Sequence, residues 1–213
     1  MASIYNNFFV LEGIDGTGKT TIIKELRRDK ELINFRFTKE PYNGSIKKLL
    51  NALDYYDPLR LSSFLVDRKI HLLEFVLPVL REGNGVICDR YLYSTLAYQF
   101  QEVNEKSFKF LSMHNFPEPS AVFYLTFPIK RIEEILERKN GVEDEEEEEK
   151  KTVEKEEIEK MKTVFKNYET IFKLYKEKTD IEIIELNAFD TITKNVEKIK
   201  DIIKKGKYPV RTR

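Results

Sequence analysis

Gly13, Gly18, Lys19 and Thr20 stand in the pattern G-x-x-x-x-G-K-[ST], within the stretch GIDGTGKT at residues 13–20. Glycines in such a loop let backbone N–H groups point inward around an anion. The lysine ammonium reaches the outer groups of a polyphosphate, and the threonine hydroxyl is a ligand for Mg²⁺. The chemistry is therefore the binding of a nucleoside triphosphate and the movement of a phosphoryl group. Asp15, Gly16, Thr17 and Thr21 complete the donor stretch. An acid beside polyphosphate is unfavourable unless it serves something specific, so Asp15 either satisfies backbone amides in the turn or meets a particular ligand group. A second carboxylate is needed from another strand end, and Asp89 closes the apolar run VIC with Arg90 directly after it. Asp89 would share the metal and Arg90 would face phosphate, the plain alternative being a surface ion pair.

Such residues need a scaffold that brings strand ends together. NFFVLEG (7–13) is a short apolar run ahead of the loop, and TIIKELRR after it has helical spacing. Further strand-like runs are NFRFTKE (34–40), GVICDR (85–90), AVFYLTF (121–127) and IEIIEL (181–186), each separated by helical material. Five strands alternating with helices imply an α/β fold, a parallel sheet covered on both faces. The 213 residues suit one domain, with no repeat and no clear internal break. Residues 60–81 are apolar nearly all round, which predicts a largely buried helix kinked or ended at Pro78. Its few charges then need partners or ligands. Arg68 in particular calls for a buried one, and Asp67 serves poorly because adjacent helical residues do not face each other. From Ile158, and again from Ile192, apolar residues recur at the spacing of amphipathic helices.

Lys plus Arg number 37 and Asp plus Glu number 37, so no global basic field argues for nucleic acid and an anionic ligand must be met by local cations. Cys88 is the single cysteine, which excludes an internal disulfide and a thiolate metal site and fits a reducing, cytoplasmic setting. Residues 1–12 lack a leader pattern and FFVL is far too short to span a bilayer, so no membrane role is expected. His71 and His114 are read as structural. Seven consecutive acids at residues 143–149 repel one another and are expected to face solvent.

A GTPase switch would need D-x-x-G and N-K-x-D sequences, and neither is present. FFVLEGIDGTGKTT, FTKEP, FLVDRKIHLLEFVLPVL and CDRYLYSTLAYQ follow one another in that order. Together they closely resemble the thymidylate kinases, strongly over residues 7 to about 137 and weakly beyond. The resemblance implies a P-loop NTPase three-layer fold, one domain over residues 1–213 with a LID at about 137–160, MgATP and dTMP as substrates, and a homodimer. It implies that Asp15 lies near the acceptor 3′-hydroxyl, that Phe64 stacks on thymine, that Arg68 donates to its O4, and that Thr95 meets the base. Tyr98 would occupy the place of a 2′-hydroxyl. Ser94 and Gln99 belong to the same acceptor set, and Glu40 and Pro41 shape its pocket. Lys39 stands where many relatives carry arginine and supplies a point charge without the bidentate fork. On the residues alone, Phe64 and Tyr98 could equally pack, Ser94 or Thr95 could cap a helix, and Lys39 could be an exposed lysine.

Phosphoryl transfer in such enzymes sets an arginine against the transferring group, from the phosphate loop or from the LID. The loop here carries Gly16 and Thr17 instead, so the LID should supply it, and the candidates are Arg131, Arg138, Lys139, Lys150 and Lys151. Arg138 is the one taken as catalytic with Lys19, Asp89 and Arg90. Two other readings remain: a deoxynucleoside (thymidine) kinase with the same loop and Asp-Arg pair, and a nucleotide-binding protein whose altered LID has lost catalysis.

Overall fold

Phe8, Phe9, Val10 and Leu11 are consecutive and all wholly buried, a pattern that a strand shows only when both its faces are covered. This strand, β1 (Ile4–Glu12), is the centre of the computed structural model, which describes residues 4–55, 57–143 and 155–205. Among them, β2 (Phe35–Lys39), β3 (Gly85–Asp89), β4 (Glu118–Thr126) and β5 (Glu182–Asn187) join β1 in one sheet of order β2-β3-β1-β4-β5. Every pairing is parallel.

The order decides where a ligand can sit. β1 continues through α1 (Lys19–Arg28) toward β2, passing over β3. β3 continues through α5 (Leu92–Gln99) and α6 (Glu105–Ser112) toward β4, passing over β1 in the opposite sense. Right-handed crossovers then send the two following helices to opposite faces and open a crevice at the carboxyl ends of β1 and β3. Glu12 ends β1 and Asp89 ends β3, at the lip of that crevice. The helix α1 packs with α9 (Ile192–Lys205), and α5 packs with α8 (Lys155–Lys178). The periodic series expected on α8 is its inner face, with Met161, Val164, Phe165, Tyr168, Ile171, Phe172 and Tyr175 all buried.

The segment expected as one largely buried helix is corrected by the structure. It comprises α3 (Pro58–His71), a π turn at Leu72–Val76 and α4 (Leu77–Arg81). Pro78 lacks the N–H that would bond the carbonyl four residues back, so the chain widens by one residue just before it. Leu59, Val66 and Leu73, seven residues apart in succession, are each more than half exposed, whereas Asp67, Arg68 and His71 are buried. The apolar positions on one side face outward and the charged ones face in. Among the described residues no helix is long and apolar enough to cross a membrane.

Candidate active site

The loop after β1 is tied internally. Gly18 adopts φ 90° as it hands the chain to α1. The Lys19 ammonium donates to the carbonyls of Gly13 at 2.9 Å and Ile14 at 2.7 Å, and the Thr17 hydroxyl donates to Ile14 O at 2.8 Å. Lys19 is buried, and burial, with Arg90 second, pushes its pKa down to about 8 against the pull of Asp15 and Asp89. Gly16 (φ 84°) lies against the backbone of α7 (Ile132–Glu143): a Cβ there would fall 2.0 Å from Ile135 O.

Arg90 adopts φ 70°, its N–H donates to Leu11 O at 2.9 Å, and its guanidinium is paired with the Asp15 carboxylate. It stands 5.1 Å from the centroid of the Tyr98 ring, and the Tyr98 hydroxyl donates to Asp15 Oδ2 at 3.4 Å. Three residues distant in sequence thus form one cluster between β1 and β3. Neither Ser94 nor Thr95 caps α5, which removes that alternative reading: the Ser94 hydroxyl donates to Tyr91 O at 2.8 Å and Thr95 bonds Arg68. The cap comes from Glu12, whose Oε1 accepts from the backbone N–H of Tyr91 at 2.8 Å and of Ser94 at 3.3 Å. Burial raises the Glu12 pKa to about 7, opposed chiefly by Arg90.

Arg68, wholly buried, has the partner its burial demanded. Its Nη2 donates to Glu40 Oε2 and, at 2.8 Å, to Thr95 Oγ1. Glu40 Oε1 meets His71 Nδ1 at 3.1 Å, and His71 Nε2 meets Thr38 Oγ1 at 2.8 Å. Asp67 accepts instead from the N–H groups of Tyr42 (2.8 Å) and Asn43 (2.7 Å), fixing the chain after Pro41. Nε and Nη1 of Arg68 have no partner, and unpaired buried donors of this kind are uncommon and call for a ligand or a water.

Of the cavities on this lip, two share Asp15 and Arg90. The larger, about 730 Å³, is lined by the phosphate loop from Asp15 to Thr21, by Lys39 and Asp89, and by Arg138. The smaller, about 220 Å³, is lined by Phe64, Ser94, Thr95, Tyr98 and Gln99. Asp15, Glu40, Pro41 and Arg90 line both, so the two adjoin. Arg68 and Gly13, both expected at the site, line neither cavity. Asp89 Oδ1 is buried with no hydrogen-bond partner and lies with Thr20 on the larger cavity, a hard oxygen set suited to Mg²⁺.

Several lining residues escaped sequence reasoning. Lys47, on α2 (Gly44–Ala52), and the stretch Ala188–Ile192 line the larger cavity, and Tyr55 and Arg60 the smaller. The strand-end rule could have found Ala188–Ile192, since that stretch follows β5 at the same edge of the sheet. Of the cations considered for the LID, Arg138 reaches the cavity: its Nη1 donates to Ala188 O at 3.2 Å and its guanidinium lies 4.3 Å from the Phe189 ring centroid. The Arg131 guanidinium lies 3.2 Å from the centroid of that ring, pairs with Glu134, and does not line the cavity. The Lys139 side chain, Lys150, Lys151 and the acidic run lie outside the described residues.

Comparison with known proteins agrees with this geometry. The thymidylate kinase family model matches residues 11–203. A probable thymidylate kinase of Pyrococcus horikoshii is 37% identical over 136 residues, 58% of this chain and 66% of its own length, and one of Staphylothermus marinus is 46% identical over 103 residues, 50% of its length. The chain thus spans half to about two thirds of these relatives. A putative thymidylate kinase of Treponema pallidum is 34% identical over 206 residues, covering 89% of this chain and 91% of that protein. The crystal structure of a thymidylate kinase from Ehrlichia chaffeensis superposes with a TM-score of 0.65 at 21% identity, over 96% of this chain and 99% of that one, which shows the shared fold. With the family model spanning nearly the whole chain and the phosphate loop, strand-end Asp-Arg pair and adjoining cavities in one crevice, the chain belongs to the thymidylate kinase family.

Proposed function

We propose that the protein transfers the γ-phosphoryl group of MgATP to dTMP, giving dTDP and ADP. An oxygen of the acceptor phosphate forms the new bond to phosphorus as the bond to the β-bridging oxygen breaks. The observation that carries this reading is the pair of adjoining cavities sharing Asp15 and Arg90: one holds the phosphate loop, the other is narrow and walled by Phe64. In that arrangement Lys19 meets the outer phosphates of ATP, and Thr20 and Asp89 hold Mg²⁺, which supplies neutralisation of phosphate charge. Arg90 and Lys39 face the acceptor phosphate. The thymine ring lies on Phe64, with the unpaired Nε and Nη1 of Arg68 as donors for a ring carbonyl, and Asp15 meets the sugar 3′-hydroxyl. Tyr98, held against Asp15 and Arg90, fills the place of a ribose 2′-hydroxyl. Loose phosphoryl transfer requires chiefly alignment and charge stabilisation, so no side-chain base is invoked.

Arg138 is the cation we assign to the transferring group, leaving Ala188 O and Phe189 to meet it. Arg138→Ala is expected to lower turnover by roughly 10²-fold with ATP affinity retained, the size of one such electrostatic contact. Steady-state kinetics with an ATP titration measure it, and unchanged turnover would remove Arg138 from the mechanism. The outward apolar row of Leu59 and Val66 on α3 and Leu73 on the π turn supports a homodimer through that face, and the buried Cys88 supports a reducing cytoplasmic setting.

The test of the reading is a comparison of dTMP with thymidine as acceptor under MgATP. Formation of dTDP with little or no dTMP made from thymidine is expected. Greater activity on thymidine would make the protein a deoxynucleoside kinase, and tight nucleotide binding without product would make it a binding protein.

A further inference from the structure

Among the described carboxylates, Glu12 is wholly buried, and the reaction as written has no task for it. It ends β1, one residue ahead of the phosphate loop, yet its side chain turns away from the donor phosphates and into the start of α5. Tyr91 occupies the cap position of α5 and offers no side-chain bond, and the Ser94 amide is the third in the helix, the one that a cap side chain ordinarily satisfies. Glu12 Oε1 supplies both missing bonds from another strand. Its Oε2 accepts from the Tyr168 hydroxyl of α8 at 2.8 Å. The residue just before this cap is Arg90, a non-glycine residue with φ 70°, a left-handed conformation that side chains disfavour unless their surroundings impose it. Here the surroundings are β1 on both sides of the turn. Leu11 O takes the N–H of Arg90, and Glu12 takes the N–H of Tyr91. The guanidinium that results points across the crevice to Asp15 and over Tyr98.

We propose that Glu12 is the positioning residue for Arg90: by capping α5 from β1 it imposes the turn that aims this guanidinium at the acceptor phosphate, and it sets that cation in register with the phosphate loop one residue further along. The inference rests on the reading of Arg90 as a contact of the acceptor phosphate. A purely structural cap would lower stability and leave substrate affinities in proportion; a positioning residue acts selectively on the acceptor and only while Arg90 is present.

The experiment is a double-mutant cycle on the full chain with Glu12→Gln and Arg90→Met, read as KM for dTMP, KM for ATP and kcat, with thermal unfolding alongside. Residues acting through one contact are non-additive, so Glu12→Gln is expected to raise KM for dTMP about tenfold in the unsubstituted protein and to change it less than about twofold in the Arg90→Met background. KM for ATP should hold within about twofold in both, since the loop itself is untouched. Tyr168→Phe, which keeps the ring and removes only the donor to Oε2, should move KM for dTMP in the same direction, about threefold, and be equally silent without Arg90. Should Glu12→Gln not fold, the Tyr168→Phe pair decides alone. Multiplying effects, or no effect of either substitution on KM for dTMP, would overturn the role of Glu12. Failure of the unsubstituted protein to phosphorylate dTMP would instead overturn the proposed function, so the two failures are told apart.

Discussion

Gly16→Ala is expected to lower kcat/KM for ATP by at least about 10²-fold, because a misplacement of roughly 1 Å in a phosphate-binding loop has that cost. The obstacle is steric and sits in the backbone. A Cβ at this position would lie 2.0 Å from the carbonyl oxygen of Ile135 and 3.0 Å from its carbonyl carbon, neither of which can rotate away as a side chain would. The φ of 84° adds strain for any L side chain. Either the loop retreats from the phosphates or α7 retreats from the loop, and α7 carries Arg138 three residues beyond Ile135. Both routes harm the same reaction. Any side chain at position 16, an arginine included, would meet the same Ile135 backbone. Gly44→Ala is the control, as nothing lies within 4 Å of the added methyl. Steady-state kinetics and an ATP-binding titration on both variants measure the effect, and wild-type kinetics for Gly16→Ala would show that the loop does not hold the donor.

Lys19→Met separates activity from stability. Under the proposed function the ammonium meets the ATP phosphates, so its removal should lower kcat/KM by about 10³-fold. Methionine keeps the length and apolar stem of lysine. Burial holds the Lys19 pKa at about 8 instead of 10.5, so the unfolded chain binds the proton more tightly than the folded one. Between pH 8 and 10.5 the unfolded state carries the extra proton, and stability rises with pH across that window; below it the folded protein bears the full penalty, about 3 kcal/mol. The lost bonds to Gly13 O and Ile14 O offset part of that gain. Lys19→Met is therefore expected to unfold near pH 7 at the same temperature as the unsubstituted protein or higher, while almost inactive. Thermal unfolding beside the kinetic assay tests both halves, and a markedly lower midpoint would mean that Lys19 is a structural tie.

The scaffold was legible in the sequence where the signal is local. The run Phe8–Leu11 marks a strand buried on both faces, the glycines beside it mark the loop, and the alternation with helices marks a parallel sheet, whereas the strand order emerged only in the fold. Asp89 and Arg90 could be placed at a strand end for the same reason. Pairings between distant residues were not legible. The burial of Arg68 demanded a partner, but that the partner is Glu40 depends on how β2 meets α3, which no spacing encodes. Ser94 and Thr95 look competent to cap α5 from its own first turn, yet the cap comes from β1. The outward Leu59, Val66 and Leu73 misled the burial reading because apolar periodicity does not say whether a face meets the core or another surface. Arg60, Lys47 and Phe189 carry no motif at all; only the folded crevice gathers them.

The unpaired Nε and Nη1 of Arg68 bear on selectivity among bases. Under the proposed function these donors would meet a ring carbonyl, and a ring without the neighbouring methyl group would be tolerated at a cost of about 1 kcal/mol, the value of one small apolar contact. A ring that presents an amino group in place of that carbonyl would be rejected far more strongly, because donor then meets donor. Under the proposed function, exocyclic oxygen is what the pocket measures, and the substituent on the neighbouring carbon only refines the fit.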